Sequence, residues 1–266
     1  MVGNHAIINR DRPIYVDVIT ITKNSHNVIQ KTIDSVSNQK YHYINHIIVD
    51  GNSTDDSIKI IQEFHHQKNI VFYKEAPKGI SNAFNTGLNK YSGGLVLFLN
   101  SGDVFVDENV IEKIAESYLN DKWLWAFGET ISVSRKGYLK RHIKQYPQWQ
   151  QELFLYSNPI CHQSTIFSQE LINKVGLYNE QLSLEMDYDF NVRASLISHP
   201  YLLYFPISYY DTTGVSSIQV FKHYRIHKKL RKKYFPLSPI KDFMIDSICY
   251  IKAIKRFLMI PIKLYL

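Results

Sequence analysis

Between residues 15 and 100, strand-like runs alternate with helix-like stretches, and this rhythm constrains the fold more than any other feature. YVDVITIT (15–22) is rich in β-branched residues and reads as a strand. NVIQKTIDSVSNQ follows, with Val28, Ile29, Ile33 and Val36 at a helical spacing. INHIIVD (44–50) is a second strand, STDDSIKIIQEFHHQ a second helix, and NIVFYKE a third strand. GISNAFNTGLNKY and GLVLFLN supply a third helix and a fourth strand. Ser53 or Thr54 can cap the second helix, with Asp55 and Asp56 at the positive end of its dipole. This order specifies a parallel α/β sheet with right-handed crossovers. Ligands of such sheets bind beyond the carboxyl ends of the strands. That rule gathers Asn24, Asp50 to Asn52, Glu75 and Asn100 to Asp103 along one edge.

From about residue 121 the rhythm breaks. WLWAFGETISVS, GYLKRHIK, NPICHQSTIFS, a helix around 186–195 and the late strand YLLYFPISYYD predict a mixed sheet laid over the first half. The expected organisation is one domain over 1–220, its nucleotide-binding half at about 14–120 and its acceptor half at about 121–220. A basic amphipathic tail follows at 221–266.

Charge narrows the function classes. The chain carries +7, but residues 221–266 hold 12 Lys and Arg against Asp242 and Asp246, a net of +10 that leaves 1–220 at −3. A basic body would suit nucleic acid. A basic tail on a mildly acidic body suits a surface anchor instead, and no nucleic-acid partner is expected. Cys161 and Cys249 suggest no disulfide framework, so a reducing cytosolic compartment is the expectation. Neither a signal-peptide apolar region nor a run of about 18 apolar residues occurs, so no leader and no spanning helix are expected.

Four segments carry candidate chemistry. In VDGNSTDDS (49–57) an acid directly follows a buried strand; Asp50 can hydrogen-bond a nucleobase or ribose, or can simply organise its turn. In LFLNSGDVF (97–105) a buried strand ends in polar residues, and Asp103 is either a solvated turn carboxylate or a ligand for a divalent cation bridging two phosphates. EMDYDF (185–190) supplies three carboxylates. On a helix Asp187 and Asp189 cannot share a face, so one of them enters a site, with Asp187 the better general base. CHQS (161–164) offers His162 and Gln163, without zinc-ligand spacing. The chain has no G-x-G-x-x-G, no P-loop lysine motif and no G-x-S-x-G elbow, which argues against a dinucleotide oxidoreductase, a P-loop NTPase and an α/β-hydrolase.

Taken in order, VDVITITKN, HIIVDGNSTDDS, EAPKGISNAFNTGL, LVLFLNSGDVF, CHQSTIF and EMDYDFNVRAS resemble the inverting family 2 glycosyltransferases, over about residues 14–216. GIS-x-AFN-x-G and FLNSGD-x-F are most similar to the colanic-acid and O-antigen biosynthetic branch. The resemblance implies the GT-A α/β fold, a mainly parallel central sheet flanked by helices. It also implies a nucleotide-sugar donor, UDP-linked ahead of GDP-linked, and a divalent cation, Mn2+ or Mg2+. On the donor side it implies Thr22, Asn24, Asp50, Asn52, Ser53, Lys78, Gly79, Asn82, Asn100 and Ser101, with Asp50 on the nucleoside. Asp103 matches the metal-holding acid of the D-x-D-type motif, and Asp187 the general base. His162, Gln163, Arg193 and Gly214, the last within TTGVSS, fall on the acceptor and diphosphate side. Four positions depart from the pattern: Asn100, Asn82, Pro77 and Met186 each stand where relatives carry an acid.

The tail interleaves aromatics and cations in FKHYRIHKKLRKKYF, then carries an apolar stripe at Met244, Ile248, Ile251, Ile254 and Leu258, interrupted by Lys255. Such a segment suits an anionic leaflet or a helix packed on the body. The expected location is cytoplasmic, peripheral on the inner face of the membrane, where a saccharide or polyprenol-linked acceptor waits. Two other readings bound this one. A sugar-1-phosphate nucleotidyltransferase shares the nucleotide half, but TKNSHN lacks the Gly-rich basic loop such an enzyme needs. A catalytically inactive carbohydrate-binding or scaffold protein would fit Asn100, Asn82 and Met186.

Overall fold

The computed structural model describes residues 13–64, 69–75, 78–133, 139–143, 149–211 and 219–258. The first half alternates as its sequence requires. β1 (Val16–Thr22), β2 (Ile44–Asp50), β3 (Ile70–Lys74) and β4 (Leu95–Phe98) are joined by α1 (Ile29–Ser37), α2 (Ser57–Glu63) and α3 (Ile80–Leu88). All four strands run parallel, β1 between β2 and β4. β1 and β4 are buried over almost their whole length, as parallel strands covered on both faces must be. Gly94 lets β4 start against β1: a Cβ there would lie 2.3 Å from the Tyr15 carbonyl oxygen.

The second half supplies β5 (Val104–Phe105), α4 (Val110–Asp121), β6 (Trp125–Val133), β7 (Leu139–Ile143), β8 (Thr165–Ser168), α5 (Gln169–Val175), α6 (Met186–Ser195) and β9 (Tyr201–Asp211). The nine-stranded sheet runs β3-β2-β1-β4-β8-β6-β9-β5, with β7 on β6. β8 is antiparallel to β4 and to β6, whereas β9 is parallel to β6. The sheet is therefore mixed, as expected. Strand order reverses beside β1, between β2 and β4, and the crevice at that switch point is where a ligand fits. One face of the sheet buries Ile19, Phe84, Phe98, Trp125, Phe167 and Phe190. Val16, Val18, Leu97, Ile111 and Ile114 pack in a second cluster.

Residues 220–258 fold as two helices, α7 (Val220–Tyr234) and α8 (Pro239–Leu258). They are docked on the body. Ile245 and Cys249 of α8 bury against Leu155, and Leu230 of α7 joins the large core cluster. Tyr234 donates to Asp189 Oδ1 of α6 at 2.5 Å. Arg231, fully buried, ties the two helices together through Asp242 at 2.6 Å and Asp246 at 3.4 Å. The apolar stripe expected on the tail faces outward: Met244, Ile251 and Leu258 are 59–66% exposed. Ile245, Cys249 and Ala253 make the inward seam instead. Among the described residues no helix is long and apolar enough to cross a membrane.

Candidate active site

The turn after β4 is built to hold one carboxylate. Gly102 has φ +102°, a backbone region that L side chains rarely adopt. Its N–H donates to Thr32 Oγ1 of α1 at 2.9 Å, and the same hydroxyl donates to the Asp103 carbonyl at 2.9 Å. Asp103 is thereby fixed, 5% exposed, on the wall of a cavity of about 980 Å³. Asn100 and Ser101 share that wall. Ser101 Oγ donates to Ser25 Oγ at 3.0 Å, linking the turn to the end of β1.

Asn100 is oriented by its neighbour. Its Nδ2 lies 3.0 Å from His162 Nε2, and burial lowers the pKa of that imidazole, which leaves the ring neutral with Nε2 free to accept. An Asp at position 100 would offer Nε2 no donor, so the Asn is matched to a neutral His. With Nδ2 committed, Oδ1 of Asn100 is buried and has no hydrogen-bond partner among the described residues. An orphaned oxygen on the same wall as the Asp103 carboxylate is a hard donor set that fits Mg2+ or Mn2+. No group of three or more His, Cys, Asp or Glu gathers among the described residues. A cation here would therefore take its remaining ligands from substrate and water.

α6 brings the second carboxylate. It starts at Glu185, whose φ of +60° is left-handed, and the turn brings both Glu185 and Asp187 to the cavity. Asp187 Oδ2 accepts from Asn158 Nδ2 at 3.0 Å, and Asn158 is itself held by the Asn191 amide and the Ile160 N–H. Glu185 Oε1 lies 2.7 Å from His223 Nδ1 of α7. Burial raises the Glu185 pKa, and the Asp187 charge adds to the rise while the His223 contact opposes it. Asp189 points the other way, as the helical spacing requires. It is 1% exposed and bonded to Arg193 Nε at 2.9 Å. Gln163 also lines the cavity, its Oε1 accepting from the Cys161 thiol, whose pKa burial pushes up to about 12.

The other expected residues stand apart from this cavity. Both oxygens of Asp50 accept from Ser53, at 2.9 and 2.5 Å, and Asp50 is fully buried, so its carboxylate organises its own loop. Ser53 and Thr54 do not cap α2. Ser53 Oγ accepts from the Asn24 N–H, Thr54 N–H donates to Asn24 Oδ1, and Asp55 accepts from Ser57 at the helix start. Asn24 and Asn52 both have positive φ in these paired loops. Thr22 is buried with Oγ1 unpartnered. Lys78 and Gly79 are exposed ahead of α3, where Gly79 has φ +105°. Asn82 donates to Glu180. Arg193, expected on the acceptor side, is a structural clamp: besides Asp189 it donates to the carbonyls of Val175 and Leu177. Gly214 and Pro77 lie outside the described residues.

Sequence reading missed five residues at this cavity. Asn158 orients Asp187 from 29 residues away, and no local motif marks it. His223 of α7 bonds Glu185. Lys222, Lys252 and Arg256 put the cations of α7 and α8 on the cavity wall.

Comparison with known proteins bears on the fold and the family. The pattern described as Glycosyl transferase family 2 matches residues 17–176. An uncharacterized glycosyltransferase of Mycobacterium tuberculosis (strain CDC 1551 / Oshkosh) is 31% identical over 208 residues, covering 76% of this chain and 77% of its own. The structure of S. aureus TarS in complex with UDP-GlcNAc superposes with a TM-score of 0.66 at 18% identity, covering 89% of this chain and 72% of that one. Mannosyltransferase PcManGT from Pyrobaculum calidifontis, in complex with GDP-Man and Mn2+, gives 0.62 at 15% identity, covering 96% of this chain and 75% of that one. The fold is GT-A-like, and the extent of the sequence match decides the rest: this chain is a glycosyltransferase that belongs to glycosyl transferase family 2.

Proposed function

We propose that the protein transfers a sugar, with inversion, from a nucleotide-sugar to a hydroxyl of a lipid-linked acceptor in bacterial surface-polysaccharide synthesis. The observation that carries this reading is the placement of Asp103 and Asp187 on the wall of one cavity, from β4 and α6. One acid is on the donor side and one is free to serve as base. UDP stands ahead of GDP as the nucleotide, and both are to be tested, since TarS is solved with UDP-GlcNAc and PcManGT with GDP-Man. The motif pair GIS-x-AFN-x-G and FLNSGD-x-F supports the surface-polysaccharide branch.

The chemistry follows from what a sugar hydroxyl lacks. It is a poor nucleophile, so Asp187 takes its proton as the oxygen attacks the anomeric carbon. The bond from that carbon to the diphosphate oxygen breaks with its electron pair leaving on the nucleoside diphosphate, and attack from the opposite face inverts the centre. Asn158 holds one Asp187 oxygen, which leaves the other to meet the acceptor. Asp103 and Asn100 Oδ1 would hold a divalent cation, which supplies charge stabilisation for the leaving diphosphate. His162 and Phe84 pack edge to face, 5.8 Å between ring centres, which steadies the imidazole that bonds Asn100.

The outward stripe of α8 supports peripheral membrane association. Exposed Phe243, Met244, Ile248, Ile251 and Leu258 lie beside Lys241 and Lys255 on a helix that presents them as one face. The test presents polyprenyl-diphosphate-linked saccharides in phosphatidylglycerol vesicles, with Mn2+ and a panel of UDP- and GDP-sugars. The protein should co-sediment with the vesicles and form a product whose new linkage has the opposite anomeric configuration to the donor. Retention of configuration, or a protein that stays wholly in the supernatant, would contradict this reading.

A further inference from the structure

We propose that the C-terminal hairpin builds a second anion site in the cavity, separate from the donor end, and that it holds the phosphate of a lipid-linked acceptor on Lys222 and Lys252. The inference deepens the function proposed above and rests on it.

Three cations of the hairpin are paired away from the cavity, Lys228 with Asp246, Arg231 with Asp242 and Asp246, Lys232 with Asp242. Arg225, Lys229, Lys241 and Lys255 are exposed to solvent. Three more reach the cavity wall. Lys222 and Lys252 both line the cavity, and neither forms an ion pair with a carboxylate among the described residues. Lys252 rests over the Tyr156 ring, 5.3 Å from its centroid, which holds its stem without neutralising its charge. Arg256, one turn further along α8, shares the wall, and its charge is felt by the buried Glu185 carboxylate.

A second observation points into the same space. His223 Nδ1 is engaged by Glu185, yet its Nε2 is buried on the cavity wall without a partner among the described residues. That nitrogen is left to the cavity, beside the two ammonium groups. A neutral saccharide needs no such array, whereas a phosphate or diphosphate satisfies it with charge-assisted hydrogen bonds. The oxygen donors Asp103 and Asn100 that fit the cation of the donor lie on the turn after β4, and the hairpin cations lie on α7 and α8.

The geometry of α8 names the rest of the ligand. Successive residues on a helix turn by about 100°. Cys249, Ala253 and Arg256 therefore turn toward the cavity, Met244, Ile251 and Leu258 turn outward, and Lys252 reaches the cavity from the border, one turn from exposed Ile248. One helix thus presents cations to the cavity and apolar side chains to the outside. An anionic group joined to an apolar chain matches both faces at once.

Calorimetry with farnesyl diphosphate tests this, in EDTA and without donor so that the metal-dependent site cannot contribute. The wild type should bind it, inorganic pyrophosphate should bind more weakly, and farnesol should not bind. Lys222→Glu/Lys252→Glu should weaken farnesyl diphosphate by at least about tenfold, the loss expected for two charge-assisted bonds, with Lys222→Gln/Lys252→Gln intermediate. Affinity for UDP with Mn2+ should stay within about twofold in both variants, which also reports that they fold. The proposal is overturned if the wild type does not bind farnesyl diphosphate, or if the charge-reversed protein binds it as well as the wild type. Pyrophosphate binding as tightly as farnesyl diphosphate would assign the site to a free anion and remove the lipid. Loss of UDP affinity alone would assign the lysines to the donor. Failure of the transferase reading looks different: no stabilisation by any nucleotide, whatever farnesyl diphosphate does.

Discussion

Asp187→Asn lowers the rate of sugar transfer by about a thousandfold and leaves nucleotide affinity unchanged. The size follows from the role, since a positioned general base is worth about 10²–10⁴ in rate. The substitution is nearly isosteric, and the remaining carbonyl oxygen can still accept from Asn158 Nδ2, the contact that sets the side chain in the wild type at 3.0 Å. Asp187 stands at the first turn of α6 while the donor-side groups Asp103 and Asn100 sit on the turn after β4, so kcat falls and donor Kd does not. Single-turnover transfer together with nucleotide titration separates the two quantities. A fall in rate of less than about tenfold, or a matching loss of nucleotide affinity, would remove Asp187 from the base position. Asp189→Asn provides the contrast. That carboxylate faces Arg193 and Tyr234 inside the protein, so its loss is read as stability and not as chemistry.

Arg231→Ala has the largest expected effect on stability. The guanidinium is fully buried between α7 and α8, with Asp242 at 2.6 Å, Asp246 at 3.4 Å and Cys249 Sγ at 4.0 Å. Removing one member of a buried ion pair costs about 3–5 kcal/mol, because the partners remain and their charges are left uncompensated. Lys228 and Lys232 already bond these aspartates from the surface, which places the loss near the lower end of that range, about 3 kcal/mol. Neither lysine fills the volume that Arg231 vacates. Because Ile245 and Cys249 bury against Leu155, loosening α8 should expose the hairpin to protease before the body unfolds. Limited proteolysis and denaturant titration measure both effects. A variant that matches the wild type in both would show that the hairpin is held by its apolar seam alone. Arg231→Met, which keeps volume and removes the charge, should fall between.

The sequence allowed β2 to be read at its structural bounds, Ile44–Asp50, because a run buried on both faces has no ambiguity of period, and β9 at Tyr201–Asp211 because its aromatic-rich run marks a strand although Tyr201 and Tyr204 are exposed. α6 was legible for a different reason: Asp187 and Asp189 in its first turn and Arg193 in its last match the two ends of a helix dipole. The cap of α2 was misread because Ser53 and Thr54 have competing partners. Asp50 and Asn24 take them, from strands that become neighbours only in the folded sheet. The hairpin was legible as helical and basic, while its docking was not. Ile245, Cys249 and Ala253 repeat at four-residue spacing and read as a weak stripe beside the stronger one that faces outward. Only the position of Leu155, about 90 residues earlier, shows which stripe is buried. Asn158 and His223 were hidden in the same way, since each earns its place at the site by a contact distant in sequence. Arg193 looked like a ligand-binding cation and is spent on closing the α5–α6 corner.

The central claim is that the turn after β4 holds a nucleotide diphosphate through a cation on Asp103. Thermal-shift titration with UDP and with GDP, each with and without Mn2+, tests it on the wild type and on Asp103→Ala. One nucleotide should stabilise the wild type by several degrees only when Mn2+ is present, since a ligand at about 100 times its Kd contributes about 2.7 kcal/mol. Asp103→Ala should lose that shift while keeping the unliganded Tm close to the wild type. An equal metal-dependent shift in the variant, or stabilisation of the wild type that ignores Mn2+, would contradict the claim.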